Sequence, residues 1–591
     1  MDSRHDKVAA IAQQSRREII LANLSRRELV KLGLLTAAGT LALKGGLGAR
    51  AKGGSDSPVS PPTRPFVVEL PIPPIAQPVN ALSPTPRAGT VAGEAPRADH
   101  QFFNQFPPKV LYDIHEQQVL HSFHPDLPRS TVWRFASRNP NGSFSPNTFL
   151  GPTIHARYGD PVLARIFNDL PPVDQHVGFG MPQTSTHLHS GHVGAESDGF
   201  PTEFYGPGLF KDFHFPNFFA GAISGFAGRP GNGVGDPREA LSTLWYHDHR
   251  VDFTAQNVYK GLAAFYLLFD VRDSGDENDP NPAAFRLPSG EFDVPLVLSD
   301  ALFDANGQLF FDLFDFDGLL GDKFLVNGAI QPFLQVAPRK YRFRMLNASV
   351  SRYYEFFRSD GRPFIQIGSD AALLPAPITQ QSIRLVPSER ADVIIDFSEA
   401  RKGQSIFLQN RLVQNNGRGP TDDIVSPGTS ILRFDVVKPL GRGGDPSEVP
   451  FRLRDLPPID PSRVRQTRLF ELKRDNGAWS INGEFFDGNV SAANPRRAVP
   501  EIWIIRNSSG GWSHPFHIHE DEFRLLSRNG EPPRPHEVGR KDSFDVGRND
   551  ELRILVNFRD FLGRYVMHCH NLIHEDHAMM ARFDIVPEGQ V

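Results

Sequence analysis

His568-Cys-His-Asn-Leu-Ile-His-Glu-Asp-His-Ala-Met579 brings thiolate, imidazole and thioether side chains together in one short stretch. On a β-strand, residues i and i+2 point to one face and residue i+1 points to the other. If this stretch begins in a strand, His568 and His570 face one side and Cys569 faces the other. A single cysteine is usually a small buried apolar residue, but two flanking histidines favour a metal ligand. The stretch therefore predicts two metal sites lying back to back across one strand.

The same His-x-His spacing recurs at His187/His189, His247/His249 and His517/His519. With 21 histidines in 591 residues, roughly one such pair is expected by chance. Each pair presents two imidazoles on one face of a strand, so four converging pairs would supply eight imidazoles. That number exceeds the four ligands of a tetrahedral zinc site, and imidazole suits copper. The pattern predicts a cluster of several copper ions.

The remaining metal-binding side chains form a second set, which comprises His514, Cys569, His574 and Met579. His514 precedes His517 by three positions, which favours the opposite face of the strand. Two histidines, a thiolate and a weak axial thioether form the blue-copper arrangement used for electron transfer. Because Cys569 is bonded to both His568 and His570, the path from this site to the cluster is a few covalent bonds long.

Composition and patterning indicate an all-β protein. Gly (51), Pro (52) and Phe (47) are abundant, and these residues are frequent in turns and sheets. Runs with strand patterning occur at 161–167, 341–347, 391–397, 501–506, 551–556 and 565–567. They fall into three β-rich blocks, which suggests β-sandwiches. The segment 200–237 is irregular and rich in Gly, Pro and Phe, which is typical of a functional or disordered loop.

The N-terminal region has the pattern of an export signal. Arg26 and Arg27 precede an apolar run at 32–43, and Ala49-Arg50-Ala51 offers a small-x-small cleavage site. The run is too short to span a bilayer of about 30 Å and fits a secretory signal. Paired arginines resemble the signal read by the bacterial Tat machinery. We therefore expect a signal peptide at 1–51, a Pro- and Ala-rich arm at 52–100, and a periplasmic or secreted protein.

Two classes of partner are not expected. The net charge is −5, from 63 basic and 68 acidic residues, which gives no reason to expect nucleic acid. No segment after the apolar run holds 18 consecutive apolar residues, so no membrane span is expected in the mature protein.

The motifs closely resemble those of the multicopper oxidases, from about Phe149 to the C terminus. His514-Pro-Phe-His-Ile-His519 and the stretch from His568 to Met579 are highly specific, and Tyr246-His-Asp-His249 is the counterpart of another motif of that family. The resemblance implies three cupredoxin-like Greek-key β-sandwich domains, which we place at 101–275, 290–440 and 460–591. It also implies four copper ions, namely one type 1, one type 2 and a type 3 pair.

The resemblance also assigns the ligands, motif by motif. The type 1 copper would take His514, Cys569, His574 and Met579, which leaves Met580 to packing. The type 2 copper would take His187 and His517. The type 3 pair would take His189, His247, His249, His519, His568 and His570. Three further histidines are predicted to bind no copper: His192, His536 and His577.

The first motif, His187-Leu-His-Ser-Gly-His192, differs from that of many laccases. It is closer to the branch that contains spore-coat laccase, bilirubin oxidase and phenoxazinone synthase. In that branch, carboxylates matching Asp198 and Glu575 lie near the cluster and help to protonate reduced oxygen. Dioxygen reduction consumes protons, so acids at this place make chemical sense. The alternative is that Asp198 caps a turn and Glu575 only orients a ligand.

The implied activity is that of a laccase-like oxidase. A phenol or aromatic amine would give up one electron at a time near His574, which in the family is the exposed edge of the type 1 site. Dioxygen would be reduced to water at the trinuclear cluster. Mn(II) and bilirubin are the alternative donors. The six methionines form no methionine-rich segment, which argues against a specialised cuprous oxidase. Electron carriers, nitrite reductases and non-catalytic structural members of the fold lack the full ligand set.

Overall fold

The computed structural model describes residues 58–226, 229–313, 315–475 and 478–589. The predicted signal peptide at 1–51 and the first residues of the arm lie outside these ranges. The described chain consists of strands, turns and a few short helices, so the prediction of an all-β protein is confirmed. Its strands form three pairs of sheets that follow one another along the chain.

The first block contains β1 (Val110–His121), β2 (Ser130–Ser137), β3 (Ile154–Arg157), β4 (Val162–Asn168), β5 (Thr186–His189), β6 (Phe210–Phe215), β7 (Thr243–Asp248) and β8 (Ala263–Phe269). One sheet has the order β2-β1-β4-β6 and the other the order β3-β8-β7-β5. Trp133, Phe213 and Tyr246 belong to the apolar core of this block. Burial of such aromatic side chains is the main stabilising contribution in a core of this kind.

The second block contains β9 (Asp293–Phe303), β10 (Leu309–Phe310), β11 (Lys323–Val326), β12 (Ala329–Ile330), β13 (Phe333–Val336), β14 (Lys340–Asn347), β15 (Tyr354–Arg358), β16 (Phe364–Ser369), β17 (Ala372–Gln380), β18 (Ile383–Leu385), β19 (Arg390–Asp396), β20 (Ser405–Leu412) and β21 (Ile424–Val436). Its larger sheet runs β12-β11-β9-β14-β19-β16-β17, with β10 paired to β9. Its second sheet runs β13-β21-β20-β15-β18.

The third block contains β22 (Gln466–Asp475), β23 (Ala478–Ile481), β24 (Ser491–Ala493), β25 (Glu501–Asn507), β26 (His514–Ile518), β27 (Arg524–Arg528), β28 (Ser543–Val546), β29 (Glu551–Val556), β30 (Gly563–Cys569) and β31 (Met580–Ile585). Its sheets run β23-β22-β25-β29-β27 and β24-β31-β30-β26-β28. Buried and partly exposed residues alternate along β29, because its apolar residues face the core. This sandwich places the two motif strands β26 and β30 side by side.

Two short α-helices in the described residues lie next to motif histidines: α1 (Thr254–Tyr259) and α2 (Leu572–Asp576). Asp576 accepts hydrogen bonds from the backbone N–H groups of Thr254 and Ala255 at 2.9 Å. A carboxylate at a helix N-terminus satisfies N–H groups that have no partner within the helix. This contact joins α1 of the first block to α2 of the third. Short 3₁₀ helices cover Ala195–Ser197, Pro237–Glu239, Gly290–Phe292, Pro461–Arg463 and Pro535–Glu537.

The segment 200–237 is not one irregular loop, because residues 210–215 form strand β6. Its Phe-Lys-Asp-Phe-His-Phe sequence pairs with β4 of the first block. Residues 221–224 are held by the third block, since the Asp560 carboxylate accepts hydrogen bonds from the N–H groups of Gly221, Ile223 and Ser224. The described part of the arm touches the blocks through single bridges, such as those from Glu69 to Phe333 and from Ile75 to Thr153. Across the described ranges, no helix has the length and apolar character needed to cross a bilayer.

Candidate metal centres

Strand pairing in two sheets brings the four His-x-His pairs together. His187 lies opposite His247 in the β5–β7 ladder, and His517 lies opposite His568 in the β26–β30 ladder. The first and third blocks meet so that the His187 and His519 rings stack at 3.8 Å between centroids. All eight imidazoles are buried. In three pairs the second histidine directly follows the strand end rather than lying in the strand, namely His249, His519 and His570.

One group of three imidazoles has the geometry of a metal site. The Nε2 atoms of His249, His519 and His568 lie 3.1–3.2 Å from one another. On the far side of the rings, His519 Nδ1 lies 2.8 Å from a carboxylate oxygen of Asp198, and His568 Nδ1 lies 2.9 Å from one of Glu575. An Nδ1 that donates leaves Nε2 as a lone-pair acceptor. Lone pairs that face one another at this distance repel, so the arrangement fits a cation between them.

The other imidazoles of the cluster also direct nitrogen atoms without a partner inward. His189, His247 and His570 form a second group of neighbouring donors, and His187 and His517 adjoin it. Buried nitrogens without a hydrogen-bond partner are His187 Nε2, His189 Nδ1, His247 Nε2, His517 Nε2 and both ring nitrogens of His570. A buried polar atom without a partner costs about 1–3 kcal/mol, and metal binding would remove that cost. The opposite ring nitrogens are anchored, for example His187 Nδ1 at 2.6 Å from Asp198 O.

Burial also sets the protonation state that a metal requires. It lowers the pKa of five of these histidines well below the usual value, with further lowering by the neighbouring imidazoles: His189, His247, His249, His519 and His570. The pKa of His517 falls to about 4 for the same reason, burial. Imidazole must be neutral to coordinate a metal ion. The cluster is therefore ready to bind cations at neutral pH.

The second centre lies on the other face of β30. Cys569 Sγ is 3.3 Å from His514 Nδ1 and 3.6 Å from His574 Nδ1, and the two nitrogens are 3.2 Å apart. His514 Nε2 is held at 2.9 Å by Ser509 Oγ. Burial raises the pKa of the Cys569 thiol well above its usual value. A coordinated metal ion overrides this effect, because it deprotonates a thiol outright.

The two adjacent methionines point to different places. Met579 is buried in the same apolar cluster as Cys569, and its carbonyl accepts a 3.0 Å hydrogen bond from the Cys569 N–H. Met580 packs instead with Phe200 and Val566. Met580 is the first residue of strand β31, whereas Met579 lies just before that strand. Met579 is thus the thioether on the side of the second centre.

The expected exposure of His574 is wrong. Its side chain is fully buried, and its Nε2 lies 3.0 Å from Asp317 O. The Trp479 ring covers it, with ring centroids 3.9 Å apart. These contacts come from residues distant in sequence, so the motif around His574 carries no sign of them.

The acidic residues near the cluster occupy two positions. Asp198 lies between His519 and His187, whose Nδ1 is 3.3 Å from its Oδ1. Burial raises the pKa of Asp198 above the usual value. The Glu575 carboxylate lies 2.9 Å from His568 Nδ1 and 3.4 Å from His249 Nδ1. Each acid therefore contacts rings whose opposite nitrogens point into the cluster.

Two further residues at the cluster lie outside the sequence motifs, and the motifs do not predict them. Asp542 lies 3.1 Å from His189 Nε2, and its carbonyl lies 3.0 Å from His517 Nδ1. Arg390 of the second block holds the same carboxylate with both terminal nitrogens. Carboxylates that hold the far nitrogen of a ligating histidine fix its tautomer and orientation. No spacing rule links positions 152 residues apart.

The three histidines predicted to bind no copper have other contacts. His192 is buried against acids, with Nδ1 3.1 Å from Glu520 Oε1 and Nε2 2.9 Å from Asp560 Oδ2. Glu520, Asp521 and Asp560 raise its pKa well above the usual value although burial alone would lower it. His577 Nδ1 lies 2.5 Å from Ile573 O. Burial lowers the pKa of His536 to about 4.

Comparison with known proteins agrees with this geometry. The sequence profile described as Multicopper oxidase matches residues 458–589. A laccase from Bacillus stratosphericus is 33% identical over 570 residues, which cover 88% of this chain and 99% of that protein. A bilirubin oxidase from Albifimbria verrucaria is 32% identical over 540 residues, which cover 89% of this chain and 82% of that protein. The chain belongs to the multicopper oxidase family.

This multicopper oxidase also shares its fold with solved members. The crystal structure of a multi-copper oxidase from Pediococcus acidilactici aligns with a TM-score of 0.69 at 25% identity, over 91% of this chain and 95% of that chain. The prediction of cupredoxin-like β-sandwiches is confirmed by this likeness. Membership makes the protein a copper-dependent oxidoreductase. The donors fit that metal, because neutral imidazoles and a thiolate are copper ligands and several inward-facing nitrogens have no other partner.

Proposed function

We propose that this multicopper oxidase is a laccase-like enzyme that uses four copper ions. It couples one-electron oxidation of a phenol or aromatic amine at a type 1 copper to four-electron reduction of dioxygen to water at a trinuclear cluster. The observation that carries the proposal is the position of Cys569. Its Sγ faces His514 and His574, while the adjacent His568 faces His249 and His519.

The type assignment follows the groups of donors. His514, Cys569, His574 and Met579 would hold the type 1 copper, and His187 with His517 the type 2 copper. The two groups His189/His247/His570 and His249/His519/His568 would each hold one type 3 copper. When bound, these ions accept, store and deliver electrons singly. Peptide bonds from Cys569 to His568 and His570 provide a continuous covalent connection between the two centres.

The protein also has to supply protons to dioxygen. Asp198 and Glu575 are two of the buried acids that contact cluster histidines. A positioned acid contributes typically 10²–10⁴-fold to a proton-transfer step. Asp198 follows the 3₁₀ helix Ala195–Ser197, and its carbonyl accepts from His187. Asp198 therefore ends a turn, as the alternative prediction has it, and also contacts the cluster, which supports its proposed role in proton delivery.

A second donor class is favoured by one of the relatives. The Albifimbria verrucaria protein, 32% identical, is a bilirubin oxidase, so a tetrapyrrole is the second candidate. Mn(II) is a third. A steady-state oxygen-uptake screen over phenols, aminophenols, bilirubin, Mn(II) and Cu(I) separates these candidates, because only a true donor gives uptake above its uncatalysed background.

Three measurements and one variant test the proposed function itself. Copper-loaded protein should show an intense blue absorption band, four copper ions per chain as the proposal states, and oxygen uptake with a phenolic donor. The Cys569→Ser variant should lose the blue band and the activity. Full activity in that variant, or neither colour nor oxygen uptake in the parent protein, would contradict the proposal.

Export is part of the proposal. Arg26-Arg27 and the apolar run at 32–43 support recognition by the Tat machinery, and a periplasmic or secreted mature protein. Replacing both arginines by lysine should keep the precursor inside the cell. The localisation proposal fails if the double variant is exported as efficiently as the parent.

A further inference from the structure

Two loops of the second block cover the outer edge of His574: residues 315–318 and 416–419, together termed the cap. His574 Nε2 lies 3.0 Å from Asp317 O. With Nδ1 facing Cys569, the Nε2–H donates to that carbonyl. The ring edge that would meet a phenol is therefore already occupied by backbone.

The two loops of the cap are in direct backbone contact. A Cβ atom built on Gly417 would lie 2.3 Å from Gly318 N and 2.4 Å from Asp317 C. The Asn571 amide nitrogen lies 3.4 Å from both Asp317 O and Gly417 O, which joins the loops to the residue that caps α2. Such close packing leaves no space for a donor molecule between the cap and His574.

Ion pairs hold the cap from the solvent side. Asp317 pairs with Arg474 of the third block at 3.1 Å and with Arg418 at 3.3 Å. The Arg418 side chain is 45% exposed and the Asp317 side chain is 25% exposed. Exposed ion pairs are individually weak, so these pairs contribute only a small free energy to holding the cap in place. The Asp315 carboxylate adds hydrogen bonds from the N–H groups of Asp317 and Gly318.

Two indoles lead outward from the covered histidine. The Trp479 ring lies 3.9 Å from the His574 ring, and its Nε1 donates to Phe316 O of the cap. Trp512 contacts Trp479 edge-on at 5.3 Å. The guanidinium groups of Arg418 and Arg474 lie 4.5 Å and 4.7 Å from the Trp512 ring. Trp512 is half-buried and is the outer end of this aromatic route.

We propose that the cap selects the electron donors of this enzyme, because it keeps them from touching His574 and makes them react at the surface formed by Trp512, Arg418 and Arg474. The inference rests on the proposed function. Each phenol loses one electron to the protein and one proton to solvent, and becomes a phenoxyl radical. Four such oxidations supply the electrons with which one dioxygen and four protons become two waters. The cap does not change the oxidation rate of a donor that transfers electrons over a distance. It lowers the oxidation rate of a phenol that would react faster in contact with His574.

Gly417→Ala is the decisive variant, because the new methyl group must displace residues 317–318 without a change of charge. Gly441→Ala is the matched control, since a Cβ there meets nothing within 4 Å. In copper-loaded protein, kcat/KM for 2,6-dimethoxyphenol should rise by about threefold or more, and that for the neutral outer-sphere donor ferrocenemethanol should stay within about twofold. The control should match the parent with both donors.

A second readout does not depend on turnover. Hydroxyl-radical labelling, mapped by mass spectrometry, should leave His574 unmodified in the parent and in Gly441→Ala but modify it in Gly417→Ala. If Gly417→Ala does not fold, Asp317→Ala, which removes both ion pairs, takes its place. Its control is Asp435→Ala, which breaks the Arg433–Asp435 pair in the same block.

Three results would overturn the inference: equal changes for both donors, a loss of phenol oxidation alone, or no labelling of His574 in either cap variant. Loss of phenol oxidation alone would mean that the cap binds the donor rather than excludes it. The labelling experiment does not require oxidase activity. It therefore distinguishes an error in the proposed function from an error in the inference about the cap. Labelling of His574 in the cap variants but not in the parent shows that the cap covers this ring even if the protein has no oxidase activity, and that combination would contradict only the proposed function.

Discussion

Arg390 of the second block and Asp542 of the third form a buried two-pronged ion pair, with N–O distances of 2.9 Å and 2.6 Å. The same carboxylate lies 3.1 Å from His189 Nε2, and the Asp542 carbonyl lies 3.0 Å from His517 Nδ1. Arg390 also contacts the carbonyl of Thr243 in the first block. One guanidinium group thereby connects all three blocks next to the cluster, although the second block supplies none of the proposed ligands.

The first prediction concerns this pair. Arg390→Met should weaken copper binding by roughly 10–100-fold at the type 2 position, because Asp542 no longer orients His517, and at the neighbouring type 3 position, because Asp542 no longer orients His189. Arg390→Lys should show the same defect more mildly, since lysine keeps the charge but loses the two-pronged geometry. The measurements are copper content and the electron paramagnetic resonance signal of type 2 copper.

Arg342→Met is the matched control for the Arg390 variants. Arg342 is equally buried and also bridges two blocks, through Asp392 and Asp273, but it contacts no cluster histidine in the described structure. Removing one partner of a buried pair costs about 3–5 kcal/mol, so both Met variants should lose stability. Only the Arg390 variants should lose type 2 copper. Equal copper loss in the control would mean that Arg390 acts through general stability.

The second prediction separates proton supply from electron supply. Glu575→Gln keeps the size of the side chain but removes the acid that lies 2.9 Å from His568 Nδ1. Reoxidation of the reduced enzyme by dioxygen should slow by about 10²-fold, whereas reduction of the type 1 site by the donor should not change. Stopped-flow absorbance of the blue band measures both half-reactions. Unchanged reoxidation would exclude Glu575 from proton delivery.

The third prediction distinguishes the two methionines. Met579→Leu should raise the reduction potential of the type 1 site by tens of millivolts, because the weak axial ligand tunes the potential of such sites. Met580→Leu should leave it unchanged, since Met580 packs against Phe200 and Val566. A redox titration of the blue band gives both values. A shift in the Met580 variant alone would reverse the assignment of the axial ligand.

The fourth prediction concerns the loop held by Asp560. Burial alone would raise the pKa of Asp560, but His192 and the N–H groups of Ser224 and Ile223 lower it to about 2. Against an ordinary value near 3.8, the shift corresponds to about 2 kcal/mol of stability. A carboxyl group with a lowered pKa stabilises the fold above pH 4, and this stability is lost as the pH falls towards 2.

Asp560→Asn should therefore lower the unfolding temperature at pH 7, and the difference from the parent should narrow at pH 3. Limited proteolysis at pH 7 should cut residues 216–226 faster in the variant, because the Asp560 carboxylate accepts hydrogen bonds from three N–H groups of this segment. A difference in unfolding temperature that is the same at both pH values would show that the charge of Asp560 does not contribute.

Local sequence patterns predicted the strands and the groups of metal-binding side chains. The alternation in Glu551–Val556 matches strand β29 residue for residue. The His-x-His spacing indicated imidazoles that the structure groups together, although His249, His519 and His570 lie just past a strand end. Strand β6 was missed, since its Phe-Lys-Asp-Phe-His-Phe sequence lies among Gly- and Pro-rich turns. Its pairing with β4 decides its conformation, and that partner is distant in sequence.

Contacts between blocks could not be predicted in the same way. Asp317 and Trp479 bury His574 from positions 257 and 95 residues away, and Arg390 reaches Asp542 across 152 residues. No local pattern encodes such pairs, because they depend on how three sandwiches dock. The family resemblance predicted an exposed His574, and the loops of the second block made this prediction wrong.

The cap belongs to a block without proposed copper ligands, so mutations in these loops replace none of those ligands. Natural variation at positions such as Gly417 and Arg418 can therefore change which reductants the enzyme oxidises, while the proposed copper ligands stay the same. Arg390, in the same block, cannot vary in this way because it holds the carboxylate of Asp542 next to the cluster histidines. We therefore expect the sequence of the cap loops to change faster than the sequence around Arg390. Lineages that differ in their reductants should differ first in these loops.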